Sequence, residues 1–252
     1  MLLVISNYEF NPLLFIILAV LVVASTYAHA APKLFTTGNV LAAGNYNDGL
    51  SSSDITLIIQ LEAGGNTIFD EGAKVKYLVP AADVDGWNEL EFDDSSWEDG
   101  ITSVGYNDGD DNTEIPSGNV GSVYTRYHFD VPNASGLKQI TFRIDYDDSY
   151  ILWLNGVEIA RSANIATLSP VGEVPAWDVS KVVDSMPDVE ATKVPKGNPN
   201  PDRWQKPVTP KEQDVTETIH IFDIEVEFGG ASATAVEASG KLTTTWADLK
   251  RN

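Results

Sequence analysis

An apolar–polar alternation with a period of two restricts this chain more than any other feature. Val123, Thr125, Tyr127, Phe129 and Val131 alternate with Tyr124, Arg126, His128 and Asp130. Ile140, Phe142, Ile144 and Tyr146 alternate with Gln139, Thr141, Arg143 and Asp145. Near the end, Phe222, Ile224, Val226 and Phe228 alternate with Asp223, Glu225 and Glu227. Successive side chains of a strand point to opposite faces, so each run predicts a half-buried strand with one apolar and one wet face. Asn155-Gly156 divides Ile151-Leu-Trp-Leu154 from Val157-Glu-Ile-Ala160. Asn-Gly accepts the positive φ angles of a type I′ turn, so a two-residue hairpin is expected there. Ile151–Leu154 is apolar on both faces, which suits a central strand covered on each side. Ile55–Leu61 predicts a further strand before Gly64-Gly65. No convincing amphipathic helix competes with these runs. The expected fold class is all-β, an antiparallel β-sandwich or jelly roll.

The ends and one internal segment stand apart from this pattern. Leu13 to Ala24 is an unbroken apolar run of twelve residues, and Ala28-His-Ala30 supplies a small-x-small cleavage pattern. Twelve is short of the roughly 20 residues of a membrane span, so 1–30 is expected to be a secretory signal peptide. The leader carries Glu9 and no Lys or Arg, which leaves an uncleaved membrane anchor as the alternative. Without cysteine the exported protein has no disulfides, and its stability rests on a packed core. Residues 31–39 are expected to be a linker, 40–230 the sandwich and 231–252 a polar tail. Eight of the thirteen prolines lie between Pro170 and Pro210. Proline cannot donate to a sheet ladder, so 170–210 is expected to be a loop excursion inserted in the sandwich. Its Trp177 and Trp204 either pin the excursion or offer a binding platform.

The acids are distributed unevenly. Between Lys76 and Arg126 there are twelve Asp or Glu residues and no Lys or Arg. Over the whole chain, 37 acids against 16 bases leave a formal charge of −21. Such a surface repels phosphates, which excludes nucleic acid as a partner and favours divalent cations or neutral polyhydroxyl ligands. Asn107-Asp-Gly-Asp-Asp-Asn112 with Glu114 crowds oxygen atoms at the short spacing of a calcium loop. Asp108, Asp110, Asp111 and Glu114 are therefore candidate ligands for calcium, the candidate cofactor. The alternative is a solvated turn whose Asp, Asn and Gly residues supply turn geometry. Asp93, Asp94, Asp147 and Asp148 are candidate ligand-binding acids, or caps of local turns. Tyr106 and Tyr150 adjoin acidic turns and are candidate contacts for a sugar ring, because aromatic faces suit the apolar faces of pyranoses. Trp97 and Trp153 are expected to be packing residues.

A resemblance follows from the order of these motifs. Tyr77-Leu-Val-Pro80, Trp87, Phe92-Asp-Asp-Ser-Ser-Trp97, Gly105-Tyr106 and the Asp-rich turn at 108–111 come first. Tyr124–Phe129, Tyr146-Asp-Asp148 and Leu154-Asn-Gly-Val-Glu-Ile-Ala-Arg161 complete the set. It resembles the galactose-binding-like β-sandwich modules of secreted bacterial proteins, and is similar to the sugar-binding jelly roll of family 2 glycoside hydrolases. Ser149 stands where the family's acidic turn carries glycine, and the 170–210 segment replaces a usual strand pair. The resemblance implies a secreted module that recognises a carbohydrate or cell-surface glycan through loops at one end. The alternative is a structural or adhesion module of the cell surface or matrix. No Gly-x-Ser-x-Gly elbow, His-Glu-x-x-His motif or cysteine nucleophile is present, so the expected function is non-catalytic.

Overall fold

The computed structural model describes residues 32–107, 109, 111–134, 136–179, 204, 216–222 and 224–230. The strands are β1 (Lys33–Thr37), β2 (Asn39–Tyr46), β3 (Thr56–Ala63), β4 (Asn66–Phe69), β5 (Lys74–Leu78), β6 (Glu98–Ile101) and β7 (Val104–Gly105). They continue as β8 (Thr113–Glu114), β9 (Ser122–Phe129), β10 (Gln139–Asp147), β11 (Ser149–Leu154), β12 (Val157–Arg161), β13 (Thr216–Phe222) and β14 (Glu225–Gly230). A short 3-10 turn lies at Ile165–Thr167.

Two antiparallel sheets carry the architecture. One has the order β13-β10-β3-β4, the other β12-β11-β2-β9-β5-β6. Leu57, Ile59 and Leu61 of β3 and Phe142 and Ile144 of β10 meet Leu41, Tyr127 and Leu152 of the larger sheet in one buried core. The fold is therefore an all-β antiparallel sandwich. Asn155 and Gly156 adopt φ of 50° and 84°, the positive pair of a type I′ turn, and join β11 to β12. The Asn155 side chain also accepts from Val40 N at 2.8 Å and donates to Lys33 O at 2.8 Å, tying the hairpin to the first two strands. β11 is buried along its whole length, as its two apolar faces predict.

The covering of β11 has a source that local periodicity does not contain. A second core lies on the outer face of the larger sheet, built from Ala42, Tyr46, Tyr124, Ile151 and Trp153 with Trp87 and Trp97 from the 79–97 loop. Trp87 stacks on Tyr124 at 4.0 Å and 6°, and meets Trp153 edge-on at 5.2 Å. Trp97 and Trp153 are packing residues, as expected.

Three expectations are corrected. β9 is not half-wet: Tyr124 and Arg126 are 1% and 0% exposed because the second core covers their face, and only His128 of that face reaches solvent. The alternating run from 222 to 228 is not one strand. The run divides into β13, which pairs with β10, and β14, which pairs in parallel with β1. Residues 33–37, placed in a linker, form β1, and Leu34 and Phe35 are buried in it. Of the 170–210 excursion, 170–179 are described and carry turns without strand. Trp177 packs against the second core, and Trp204 Nε1 donates to Asp70 Oδ1 at 2.9 Å, so both tie the excursion to the sandwich. The expected signal peptide at 1–30 and the tail at 231–252 lie outside the described residues.

Candidate functional site

One end of the sandwich gathers Asp111, Asp147 and Asp148 of the acids that the sequence singles out. Antiparallel pairing sets Asp147, the last residue of β10, opposite Thr56, the first of β3. Thr56 Oγ1 donates to Asp111 Oδ1 at 2.8 Å, and Asn45 Nδ2 donates to Thr56 O at 2.7 Å. Asp148 Oδ2 accepts from Asp48 N at 2.7 Å, which fixes the loop after β2. The turn after β7 and the turn after β10 therefore converge on β3. Asp111, Asp147 and Asp148 are 2%, 2% and 0% exposed, so none of the three carboxylates faces solvent.

The 105–111 turn is seated by close packing. Tyr106 bridges to Ile55 with hydrogen bonds of 3.1 and 3.4 Å between their backbones. A Cβ on Gly105 would stand 1.9 Å from Ile55 O and 2.6 Å from Asp111 Oδ1. Gly105→Ala is expected to cost about 1–3 kcal/mol, since neither the backbone carbonyl nor the buried carboxylate has room to give. A chemical melt checks this, and an unchanged midpoint would show that the turn is loosely held.

Above this layer are half-buried or exposed polar groups. Asp48 and Asp54 are half-buried, while Asn107 and Glu114 are exposed. Asn107 Nδ2 donates to Ser53 O at 2.7 Å, and Ser53 Oγ donates to Asp54 Oδ1 at 2.6 Å. Burial, with the nearby Asp54, Asp147 and Asp148 charges, raises the Tyr106 phenol against the lowering hydrogen bond from Asn47. The potential at this end is thus negative.

The predicted aromatic contacts are placed differently. Tyr106 is 3% exposed, and its hydroxyl donates to Ser52 O at 3.1 Å and accepts from Asn47 Nδ2 at 3.2 Å. Tyr150 is fully buried. Its hydroxyl donates to Glu217 Oε2 at 2.5 Å, while Tyr146 donates to Glu217 Oε1 at 3.0 Å. Burial first, and then the Glu217 charge, raise both phenols. Neither ring offers a face to a sugar without opening the core.

Asp108 and Asp110 lie outside the described residues, Asp111 is bound to Thr56, and Glu114 stands exposed on β8. Among the described residues no three His, Asp or Glu side chains gather as a metal would require.

Asp93 and Asp94 stand away from this end. Asp93 caps its own turn, accepting from Ser95 N at 3.0 Å. Asp94 Oδ2 accepts from Arg126 Nε at 2.8 Å and contacts His128 Nε2 at 2.7 Å. The Arg126 guanidinium also donates to Trp87 O at 2.6 Å, Glu89 O at 2.9 Å, Leu90 O at 3.4 Å and Phe92 O at 3.3 Å. The first base after twelve acids is thus the post around which the 87–94 loop is wound. This role was missed from sequence, although the base's isolation among acids was visible.

Burial pushes the Asp94 carboxyl up, but hydrogen bonds from Arg126 and then His128 outweigh this and hold it below the usual carboxylate range. A group depressed in the fold contributes stability that is complete above its unfolded pKa of about 3.9. That stability is lost as pH falls through the folded value. Thermal melts are therefore expected to steepen below about pH 4, with a flatter acid limb in Asp94→Asn. Superimposable limbs would detach Asp94 from the acid loss. Comparison with known proteins gives no family to which the chain can be assigned: no family model, curated protein or solved structure matches it.

Proposed function

We propose that the chain is a secreted, non-catalytic carbohydrate-binding-like module, of the galactose-binding-like jelly-roll kind, that takes glycan hydroxyls at the loop end of the sandwich. The observation that carries the proposal is the convergence of the 47–54, 105–111 and 147–148 loops through Thr56, Asp111 and Asp148. Buried carboxylates brace the loops, and Asp48, Asp54 and Asn107 above them supply oxygens and an amide to sugar hydroxyls. Pre-positioned polar groups at a rigid end spare the ordering cost of binding. Calcium, if bound, would order the 108–111 turn through its carboxylates.

Burial of the Tyr106 and Tyr150 rings favours a second reading, a structural or adhesion module of the cell surface or matrix. Affinity gels cast with a panel of polysaccharides, run with and without EDTA, separate the two. Glycan binding predicts retardation that Asp54→Ala reduces while the melting temperature holds. Equal mobility in every gel refutes it. A melting temperature raised by calcium in a protein that no gel retards supports the second reading, because a ligand that binds only the folded state stabilises it.

A further inference from the structure

The turn that joins β9 to β10 carries the chain's one Asn-x-Ser/Thr motif, Asn133-Ala134-Ser135. On the surface of an exported chain such a motif accepts an N-linked oligosaccharide, provided that its middle residue is not proline. Asn133 is exposed, and its side chain makes no hydrogen bond to a described residue. By contrast, Asn39, Asn45, Asn47, Asn107, Asn155 and Asn164 each donate an amide hydrogen bond within the fold.

The turn is pinned from within. Ala134, the middle residue of the motif, is 0% exposed and belongs to the sandwich core. Its carbonyl accepts from Leu137 N at 3.0 Å, and Gly136 takes φ of 75°, in the left-handed region that favours glycine. Asn133 is left on the solvent side. It borders an open concavity of about 570 Å³, walled by the Gly64-Gly65 turn between β3 and β4 and by Leu137, Lys138, Gln139 and Thr141. A Cβ on Gly65 or Gly136 would meet nothing within 4 Å, so a bulky group on the Asn133 amide has room. β10 separates this turn from the acidic loop end, running from Gln139 to Asp147. At a rise of roughly 3.3 Å per residue the two ends stand about 26 Å apart.

We infer that Asn133 is a site of N-linked glycosylation, set at the end of the sandwich away from the acidic loops. In the transfer, Asn133 Nδ2 attacks C1 of an oligosaccharide carried on a lipid diphosphate. An N–C1 bond forms as the C1–O bond breaks, the lipid diphosphate leaves with that electron pair, and the amide nitrogen gives up one proton. The attached chain has a structural use at this corner. Gln139, in the wall of the concavity, pairs in register with Phe222, which is 60% exposed on β13, the outermost strand of its sheet. An edge strand with an exposed aromatic invites pairing with another chain, and a bulky hydrophilic group beside it opposes that. The inference rests on the export part of the reading above and not on glycan recognition by the loop end.

The test expresses the full chain in insect cells with its own leader, and in parallel with a host secretion leader in place of residues 1–30. Secreted protein is treated with peptide N-glycosidase, which releases N-linked chains and leaves a carboxyl at the linked asparagine. The expected result is one downward step in mobility, with the mass change mapped to the peptide that holds Asn133. Asn133→Gln and Ser135→Ala each abolish the step, and Ser135→Thr keeps it. Asn133 is exposed and bonded to no described side chain, so its replacement is a surface change that leaves the fold intact. Protein that the glycosidase leaves unchanged overturns the inference, as does a step that survives in both loss variants. A glycosylated product that only the host leader exports removes the export reading of 1–30 and leaves Asn133 a site. Polysaccharide retardation that is the same before and after the glycosidase supports attachment away from the loop end. Retardation that appears only once the chain is removed overturns that placement. A glycosylated protein that no gel retards removes the loop-end proposal alone.

Discussion

Asp94→Ala is expected to destabilise the protein by about 3–5 kcal/mol, the cost of leaving a buried charge without its partner. The Arg126 side chain is wholly inaccessible, and among the described residues Asp94 is the one carboxylate paired with it. Four backbone carbonyls and the Phe92 ring, 5.4 Å from the guanidinium carbon, complete its surroundings. Carbonyl dipoles share the charge but do not neutralise it. For a domain of this size the loss corresponds to a melting temperature lower by about 6–20 °C. Arg126→Met removes the charge itself and releases the 87–94 loop. The double variant is expected to be more stable than the sum of the two single losses, since each single change strands what the other removes. Strict additivity in a urea-melt cycle would show that the pair is not coupled and that the loop is held by its apolar contacts alone.

Trp87→Ala is expected to cost a similar 3–5 kcal/mol, from lost burial and the cavity left behind. Trp87 is the member of the second core that meets Tyr124, Trp97 and Trp153 together. Without it, the outer faces of β2, β9 and β11 lose the centre of their lid, and the 79–97 loop keeps Trp97 and the Arg126 contacts as its main anchors. The midpoint of urea unfolding is expected to fall without change of slope, as for a lost core contact. Near-ultraviolet dichroism is expected to lose the signal of the coupled rings. A variant with wild-type midpoint would mean that the loop closes over Tyr124 without the indole.

How much of this was legible depends on the distance over which each feature is determined. The Asn155-Gly156 turn and the doubly apolar β11 are set by adjacent residues, and both are found where the local pattern puts them. The inward face of β10 likewise follows from alternation. Arg126 shows where alternation stops being enough. Period two says that Arg126 and Tyr124 share a face, and composition says that this face is wet. What decides is a loop some thirty to forty residues upstream that folds over the face, a tertiary contact no strand pattern carries. The same holds for Tyr150. Its neighbouring acids suggested an exposed turn, but pairing of β11 with both β2 and β12 draws it inward to Glu217. The split between β13 and β14 has a trace in the sequence, since the alternation changes phase between Ile221 and Phe222, but that their partners, β10 and β1, belong to different sheets has none. Convergence of the 105–111 and 147–148 turns needed the register of β3, which sequence alone does not supply.

The pairing of β1 with β14 bears on how the molecule comes into being. Lys33 lies beside Glu225, 192 positions apart along the chain, in a parallel ladder closed by the Lys33–Glu227 ion pair. During synthesis from the N-terminus, β1 emerges early yet has no ladder partner until nearly the whole sandwich has been made. Leu34 and Phe35 are thus exposed for most of translation, an interval in which an unpaired apolar strand is open to wrong partners. Long-range closure of this kind slows folding. A nascent chain halted before β14 would therefore hold β10 and β3 in register while its first strand remained unclaimed.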